Sequence, residues 1–307
     1  MKILITGGLG HIGSYLLHNI NKINLISKIY VIDNFSVNKL NSLSNIKHSK
    51  RITLIKENIE DYKVLKNFTK VNLIIHLASI VDAEASLKNP KLVKNHNLKV
   101  FKNILNYCIK NKSKLIHISS TSVYGEQSGY LNEDCKSLKP QSPYAEEKVL
   151  EENLLKKNKN KLNYVTLRFG TIAGFSSGMR FQTAVNKFCL NALLNKPLTI
   201  WKGAMYQTRP YLALSDAFKA ISFFINKKIF NNEIYNILTG NFTVREILNI
   251  IKKYKKNIKI KLIQSKILNQ VSYQISDKKI KSLGLLFSKK TLEHSIKETF
   301  VKFNTIK

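Results

Sequence analysis

Arginine is nearly absent from this chain: five Arg stand beside 46 Lys in 307 residues. Acidic residues are also scarce, 19 against 51 basic ones, which leaves a formal net charge of +32. A surplus of that size suits a nucleic-acid binder, but Arg is the residue that reads bases and stacks on them. The Lys are spread over the whole length, and with 37 Ile and 33 Asn the composition has the mark of A/T-rich codons. The reading is therefore no specific nucleic-acid surface and a small polyanionic substrate instead. The densest run, Lys156 to Lys161, reads as the solvated end of a helix. Only three cysteines occur, Cys108, Cys135 and Cys189, far apart and with no CxxC pair. That excludes a disulfide framework and points to a reducing compartment.

Long apolar runs are missing too. Leu73 to Val81 spans about nine residues, well short of the roughly 20 that cross a bilayer, so no membrane insertion is expected. Met1 to Thr6 is one basic residue and a short apolar run, but glycines follow at once and no small-residue cleavage site appears. This is not the pattern of a signal peptide, and the expected location is the cytoplasm. The seven His show no metal-ligand spacing, so no metal site is assigned.

The first half alternates short β-branched runs with helical stretches, the pattern of a parallel sheet covered on both faces. Strands are predicted at Lys2–Thr6, Lys28–Asp33, Ile52–Lys56, Leu73–Leu77, Leu115–Ser119 and Tyr164–Phe169, and helices near Ile12–Ile23, Asp61–Phe68, Pro90–Lys110 and Pro143–Asn158. After Phe169 the alternation stops. Helices are expected at Gln182–Leu194 and from Asp216 to about Asn226, strands at Leu198–Trp201, Ile234–Leu238 and Ile258–Ile263, and a Pro-bearing turn at Arg209-Pro210. Thr243 with Glu246 three residues on is a capping-box pattern, and an amphipathic helix runs from Thr291. The fold class is α/β: a doubly wound parallel sheet over residues 1–168 and a smaller mixed α/β region over 169–307. Segments near 210–240 are expected to pack back on the first part.

Thr6-Gly7-Gly8-Leu9-Gly10-His11-Ile12-Gly13 lies directly after a strand and before a helix. Glycines there let the backbone approach a pyrophosphate seated on the free N–H groups of the helix start. Asp33 ends the second strand 20 residues beyond Gly13, where a carboxylate binds adenosine ribose hydroxyls and repels the 2′-phosphate of NADP. No Arg follows in Asn34–Asn41, so NAD is favoured, with Lys39 leaving room for NADP. Asn58 follows the third strand where a polar side chain can bond the adenine edge, with Ile59 beside it to pack on the ring.

Tyr144 and Lys148 stand one helical turn apart, so the ammonium can lower the phenol pKa toward neutrality. About two YxxxK matches are expected by chance in this composition, and two occur, the other being Tyr62 to Lys66. Context separates them: Tyr144 follows Pro140-Gln141-Ser142-Pro143, and the strand before it ends in Ser119-Ser120-Thr121-Ser122-Val123-Tyr124-Gly125. Hydroxyls at the carboxyl end of a sheet strand lie where an open α/β fold opens its ligand crevice.

Taken together, TGGLGHIG, Asp33-Asn34, His76-Leu77-Ala78-Ser79, Pro90 with Asn97, SSTSVYG, Tyr144 to Lys148, Leu167-Arg168-Phe169-Gly170, Arg209-Pro210-Tyr211, Asp216 and Asp277 with Leu283-Gly284 resemble the extended short-chain dehydrogenase/reductases, and among them the NAD-dependent nucleotide-sugar epimerase/dehydratases. The resemblance implies that Tyr144 is the acid/base on a sugar hydroxyl, that Lys148 binds the nicotinamide ribose, and that Ser120 is the catalytic Ser/Thr. It implies a dinucleotide lined by Gly7, Gly10, His11, Ile12, Gly13, Asp33, Asn34, Asn58, Ile59, Leu77, Ala78, Ser79 and Asn97, and a homodimer built on the helices near 90–110 and 143–158. Thr121 and Thr171 would face the sugar. Arg209 is the candidate for the diphosphate, since a planar guanidinium grips it as Lys cannot. Arg180 and Asn186 would join it.

The 4,6-dehydratases of the family carry Asp-Glu directly after the catalytic Thr, its decarboxylases a Glu there, and its 3,5-epimerase/reductases a Cys just after the Ser. Here those positions are Thr121 and Ser122. The resemblance therefore implies an NAD-dependent epimerase acting at C4 through a transient keto-sugar, with a nucleotide keto-sugar reductase as the alternative. A non-catalytic dinucleotide-binding or RNA-associated protein is the third reading. Thr171 stands where UDP-hexose 4-epimerases usually have Asn, no Arg follows Arg245, and Val81 replaces a Lys found in some members. The nucleobase and sugar are left open.

Overall fold

A computed structural model describes residues 1–304 apart from 37–39, 45, 47, 48, 69, 82–89, 126, 128 and 265–271. Lys39 lies outside the described residues. The strands are β1 (Lys2–Thr6), β2 (Lys28–Asp33), β3 (Ile52–Lys56), β4 (Leu73–His76), β5 (Lys114–Ser120), β6 (Tyr130–Leu131), β7 (Tyr164–Phe169), β8 (Thr171–Ala173), β9 (Leu198–Trp201), β10 (Thr208–Ala213), β11 (Glu233–Ile237), β12 (Gly240–Thr243), β13 (Ile260–Ile263) and β14 (Gln274–Ile275). The helices are α1 (His11–Asn19), α2 (Tyr62–Lys66), α3 (Pro90–Asn111), α4 (Pro143–Lys157), α5 (Ala184–Leu193), α6 (Leu214–Lys227), α7 (Val244–Tyr254), α8 (Lys278–Ser282) and α9 (Lys290–Asn304).

Seven strands form one sheet in the order β11-β7-β5-β4-β1-β2-β3, and every pair in it is parallel. The order reverses between β1 and β4, so the crevice at their carboxyl ends is the place for a ligand. Parallel strands covered on both faces must be apolar throughout, and β4 and β7 are buried at every position. Alternation then divides the side chains. Ile3 and Ile5 join Leu16, Leu17, Ile221 and Phe224 of α1 and α6 in one core. Leu4 points the other way, to Leu65 of α2, Phe101 and Ile104 of α3 and Leu155 of α4. Each such Ile or Leu contributes about 1.5–3 kcal/mol by leaving water.

β11 supplies an edge of this sheet although it lies far along the chain. The rest of residues 169–307 builds a third core from Val185, Phe188, Leu198, Phe242, Ile247, Ile251, Leu292 and Phe300. The Thr243–Glu246 capping box is present at the start of α7. The expected turn at Arg209-Pro210 is instead part of strand β10. Pro210 is opposite Asn241 of β12, while pairing to β8 begins only at Tyr211, so its missing N–H falls where one flank of the strand is still open. α1 also ends earlier than its apolar pattern, at Asn19, and Ile20–Lys22 tightens into a 3₁₀ turn.

Candidate active site

The glycine turn joins β1 to α1 and is braced by the end of β4. Gly7 has φ +66°, and a Cβ there would come within 2.7 Å of the Ala78 backbone, so only glycine fits. Thr6 locks the two strand ends together: its Oγ1 accepts the Leu77 and Ala78 N–H groups, both at 3.2 Å, and lies 2.7 Å from His76 Nδ1. That hydroxyl therefore donates to Nδ1, and His76 is the Nε2–H tautomer. No side chain caps α1 at Gly10, which leaves the positive end of the helix to an anion.

Asp33 spans the turn. One oxygen accepts the Leu9 N–H and the other the Phe35 N–H, each at 3.0 Å. Asn34 caps its own loop through Ser36 N–H. Asn58 is exposed and bonded to Glu60, while Ile59 is buried in the core beneath. Asn97 is 1 % exposed; it accepts the Ile80 N–H, donates to the Ile80 carbonyl and donates to Glu147 Oε2. Its amide thus fixes the backbone beside Ser79, whose own buried Oγ has no partner among the described residues. The glycine cradle, the open helix end, Asp33 and the orphaned Ser79 hydroxyl suit a dinucleotide.

A second wall comes from the loop after β8. Gly178 N–H donates to Ser14 Oγ at 3.0 Å, and a Cβ at 178 would press on the Gly10 carbonyl at 2.7 Å. His11 Nε2 meets the Gly174 carbonyl at 2.9 Å. Asn186 is buried, accepting the Gly174 N–H and donating to the Arg180 carbonyl, so it shapes this loop. Arg180 reaches the Val81 carbonyl at 2.7 Å. Arg209 lies farther along, 4.9 Å over the Tyr273 ring, and Thr171 opens β8.

At the other end of the crevice Ser120 closes β5. Ser122 donates to Ser120 Oγ through both its N–H, at 3.1 Å, and its hydroxyl, at 2.9 Å, which turns the Ser120 proton outward. Thr121 is buried and donates to the Phe169 carbonyl. Ser142 caps α4 through the Ala145 N–H and Pro143 starts it, placing Tyr144 in its first turn. Lys148 Nζ stands 5.6 Å from the Tyr144 ring centroid.

The ammonium is buried, and the sequence reading missed its surroundings. Glu151 Oε2 is 2.7 Å and Glu147 Oε1 3.4 Å from Lys148 Nζ. Glu151 Oε2 also takes a bond from His117 Nε2 at 2.8 Å. Next to them Glu152 accepts from Arg168 at 3.0 and 2.6 Å and from Ser119 at 2.6 Å. Burial alone would lower Lys148, but Glu151 and Glu147 outweigh it and hold the group a firm cation. Lys148 does pull the Tyr144 phenol down, as its place one turn away implies, but it does not prevail. Burial pushes the phenol up, Lys148 pulls it down, and Glu147 and Glu151 push it up again, so it lies above its ordinary value. The signal that could have found these glutamates was their spacing: Glu147 to Glu151 is i,i+4 and Lys148 to Glu151 is i,i+3.

The chain matches the model of the NAD dependent epimerase/dehydratase family over residues 3–237. It is 34% identical over 248 residues, 77% of this chain and 76% of the other, to a Bacillus subtilis protein named as an uncharacterized UDP-glucose epimerase, YtcB. It is 29% identical over 269 residues, 85% of this chain and 83% of the other, to an ADP-L-glycero-D-manno-heptose-6-epimerase of Brachyspira hyodysenteriae. The structure of UDP-glucuronic acid 4-epimerase from Bacillus cereus, in complex with UDP-glucuronic acid and NAD, superposes with a TM-score of 0.89 over all of both chains at 26% identity. With the glycine turn, the Tyr144–Lys148 pair and these matches in hand, the chain belongs to the NAD-dependent epimerase/dehydratase family.

Proposed function

We propose that this protein is an NAD-dependent epimerase that inverts C4 of a nucleotide-diphosphate sugar through a transient keto-sugar. The observation that carries this is the make-up of the β5 end. Ser120 and Tyr144 supply a hydroxyl donor and an acid/base, and the two residues after Ser120 are Thr121 and Ser122, both engaged within the protein. Elimination of water needs a proton donor there. Inversion needs none, only rotation of the keto-sugar.

Residues 1–168 hold the dinucleotide and 169–307 the sugar nucleotide, with Gly7, Gly10, His11, Ile12 and Gly13 on the pyrophosphate, Asp33 on the adenosine ribose and Leu77 to Ser79 along the chain of the cofactor. NAD, when bound, supplies the hydride acceptor and donor and a positive charge near Tyr144. Lys148 holds the nicotinamide ribose. Tyr144, acting as the phenolate, takes the C4 hydroxyl proton and, as the resulting phenol, gives it back to the same oxygen, to which Ser120 also donates. Arg209 and Arg180 face the diphosphate, and Thr121 and Thr171 the sugar. The protein works in the cytoplasm as a homodimer through α3 and α4, whose outer face offers a groove lined by Leu98, Leu150, Leu154 and Lys102.

The test is proton NMR of the anomeric region for a panel of nucleotide-diphosphate sugars with trace NAD. Growth of a second diastereomer to equilibrium is expected. No change with trace NAD, together with stoichiometric NADH consumption on a keto-sugar, would reassign the protein as a reductase.

A further inference from the structure

Three carboxylates lie buried along one face of α4, and the reaction above uses none of them. Glu152 is neutralised by Arg168 in a two-bond pair. Glu147 and Glu151 are different: they converge on one ammonium, and all three side chains are at most 3% exposed. Glu151 Oε2 takes Lys148 and His117, and Glu147 Oε2 takes Asn97. Glu147 Oε1 and Glu151 Oε1 are left with no hydrogen-bond donor among the described residues. Two carboxylates and one ammonium in a dry site leave an uncompensated charge, which costs several kcal/mol. One retained proton cancels the charge and lets one carboxyl donate to the other, the two side chains being within hydrogen-bonding reach of each other.

We propose that Glu147 and Glu151 share one proton beneath Lys148 and act as its counter-ion, positioning the ammonium and keeping Tyr144 a neutral phenol in the free protein. The use of Tyr144 rests on the epimerase reading; the geometry of the pair does not. The neighbours agree with a single proton on the pair. From β5 His117 presents Nε2–H to Glu151 and accepts from Thr166 on Nδ1, and burial with Lys148 beside it drives the imidazole down to about 3, so it is neutral. From β4 His76 is held well below its ordinary value by burial and by Lys148. β7 presents Arg168, already matched by Glu152, α3 presents Asn97, and Arg180 acts on Tyr144 from the loop after β8. Burial, with Glu151 adding to it and Lys148 opposing, raises Glu147 to about 8. Lys148 pulls the phenol down, and burial with Glu147 and Glu151 outweighs that pull.

Two measurements decide this without turnover. Infrared difference spectra at pH 7 should show a neutral buried carboxyl band that Glu147→Gln removes and that fades as pH rises through about 8; its absence from the unsubstituted protein would overturn the shared proton. In protein labelled at tyrosine Cζ, the Tyr144 signal is assigned by its loss in Tyr144→Phe. Glu147→Gln should lower its titration midpoint by about one unit, and Glu151→Gln by less, since at that pH each change removes one negative charge near the phenol and Glu147 acts on it more strongly. Glu151→Asp, which keeps the charge, should leave the midpoint near its original place. Unmoved midpoints in both Gln variants would overturn the counter-ion role, and either variant suffices if the other does not fold. If no nucleotide sugar is turned over, the epimerase reading fails while both measurements still judge the pair.

Discussion

The two ends of the crevice are built in opposite ways. At the β1–α1 turn the cradle is backbone: Gly7 at φ +66°, Leu9 N–H on Asp33, and an uncapped helix start. At the β5–α4 end it is side chain, with Lys148, Glu147, Glu151 and His117 buried together and Arg168 closed on Glu152. A site built on backbone is set by the geometry of the chain before a ligand arrives. A charged side-chain site must balance itself first, and here the charges that meet each other are buried on α4 and its neighbours.

Substitutions at the two ends should therefore fail differently. Tyr144→Phe should cut kcat by about a thousandfold, the scale of general acid–base catalysis, with NAD affinity in fluorescence titration unchanged. A fall in affinity as large as the fall in kcat would erase the distinction between the ends. Arg168→Ala should destabilise by about 3–5 kcal/mol in urea unfolding, because it leaves Glu152 buried without its partner. A loss below about 1 kcal/mol would mean the pair is solvated. Gly7→Ala should cost roughly 1–3 kcal/mol of stability from the left-handed conformation and the contact with Ala78, and should weaken NAD binding while leaving the Tyr144 titration alone. The remaining effect is in the pH dependence of stability, set by His117 and Glu147. His117 has its folded pKa depressed from 6.5 to about 3, so below pH 6.5 the unfolded chain binds a proton the folded one does not, and stability falls with pH. Glu147 is raised from 4.5 to about 8, so its contribution is complete below 4.5 and is lost as pH rises to 8. His117→Gln should flatten the acid side only, as read by Tm against pH.

The same contrast explains what was legible in the sequence. The glycine turn, Asp33 and the strands β1, β2, β3 and β7 could be read residue by residue, because backbone constraints demand particular residue types at fixed spacing. The capping box at Thr243 was legible for the same reason. Strands β8, β10 and β12 were not, since these runs of three to six residues, Arg209-Pro210 among them, are ordered by pairing with distant neighbours rather than by their own pattern. The acidic pair was missed because glutamates on a helix read as solvated, and only the packing of α4 against β5 and α3 shows that Glu147 and Glu151 face inward. Ser122 was noted only for what it is not; its two bonds to Ser120 appear once the chain turns after β5.

The most direct measurement of the central claim uses a nucleotide-diphosphate sugar deuterated at C4, incubated with the protein and trace NAD in ordinary water. Removal and return of one hydride within the same crevice predicts that both diastereomers keep the deuterium at C4. Washout of the label into solvent, or accumulation of NADH in proportion to substrate consumed, would contradict it.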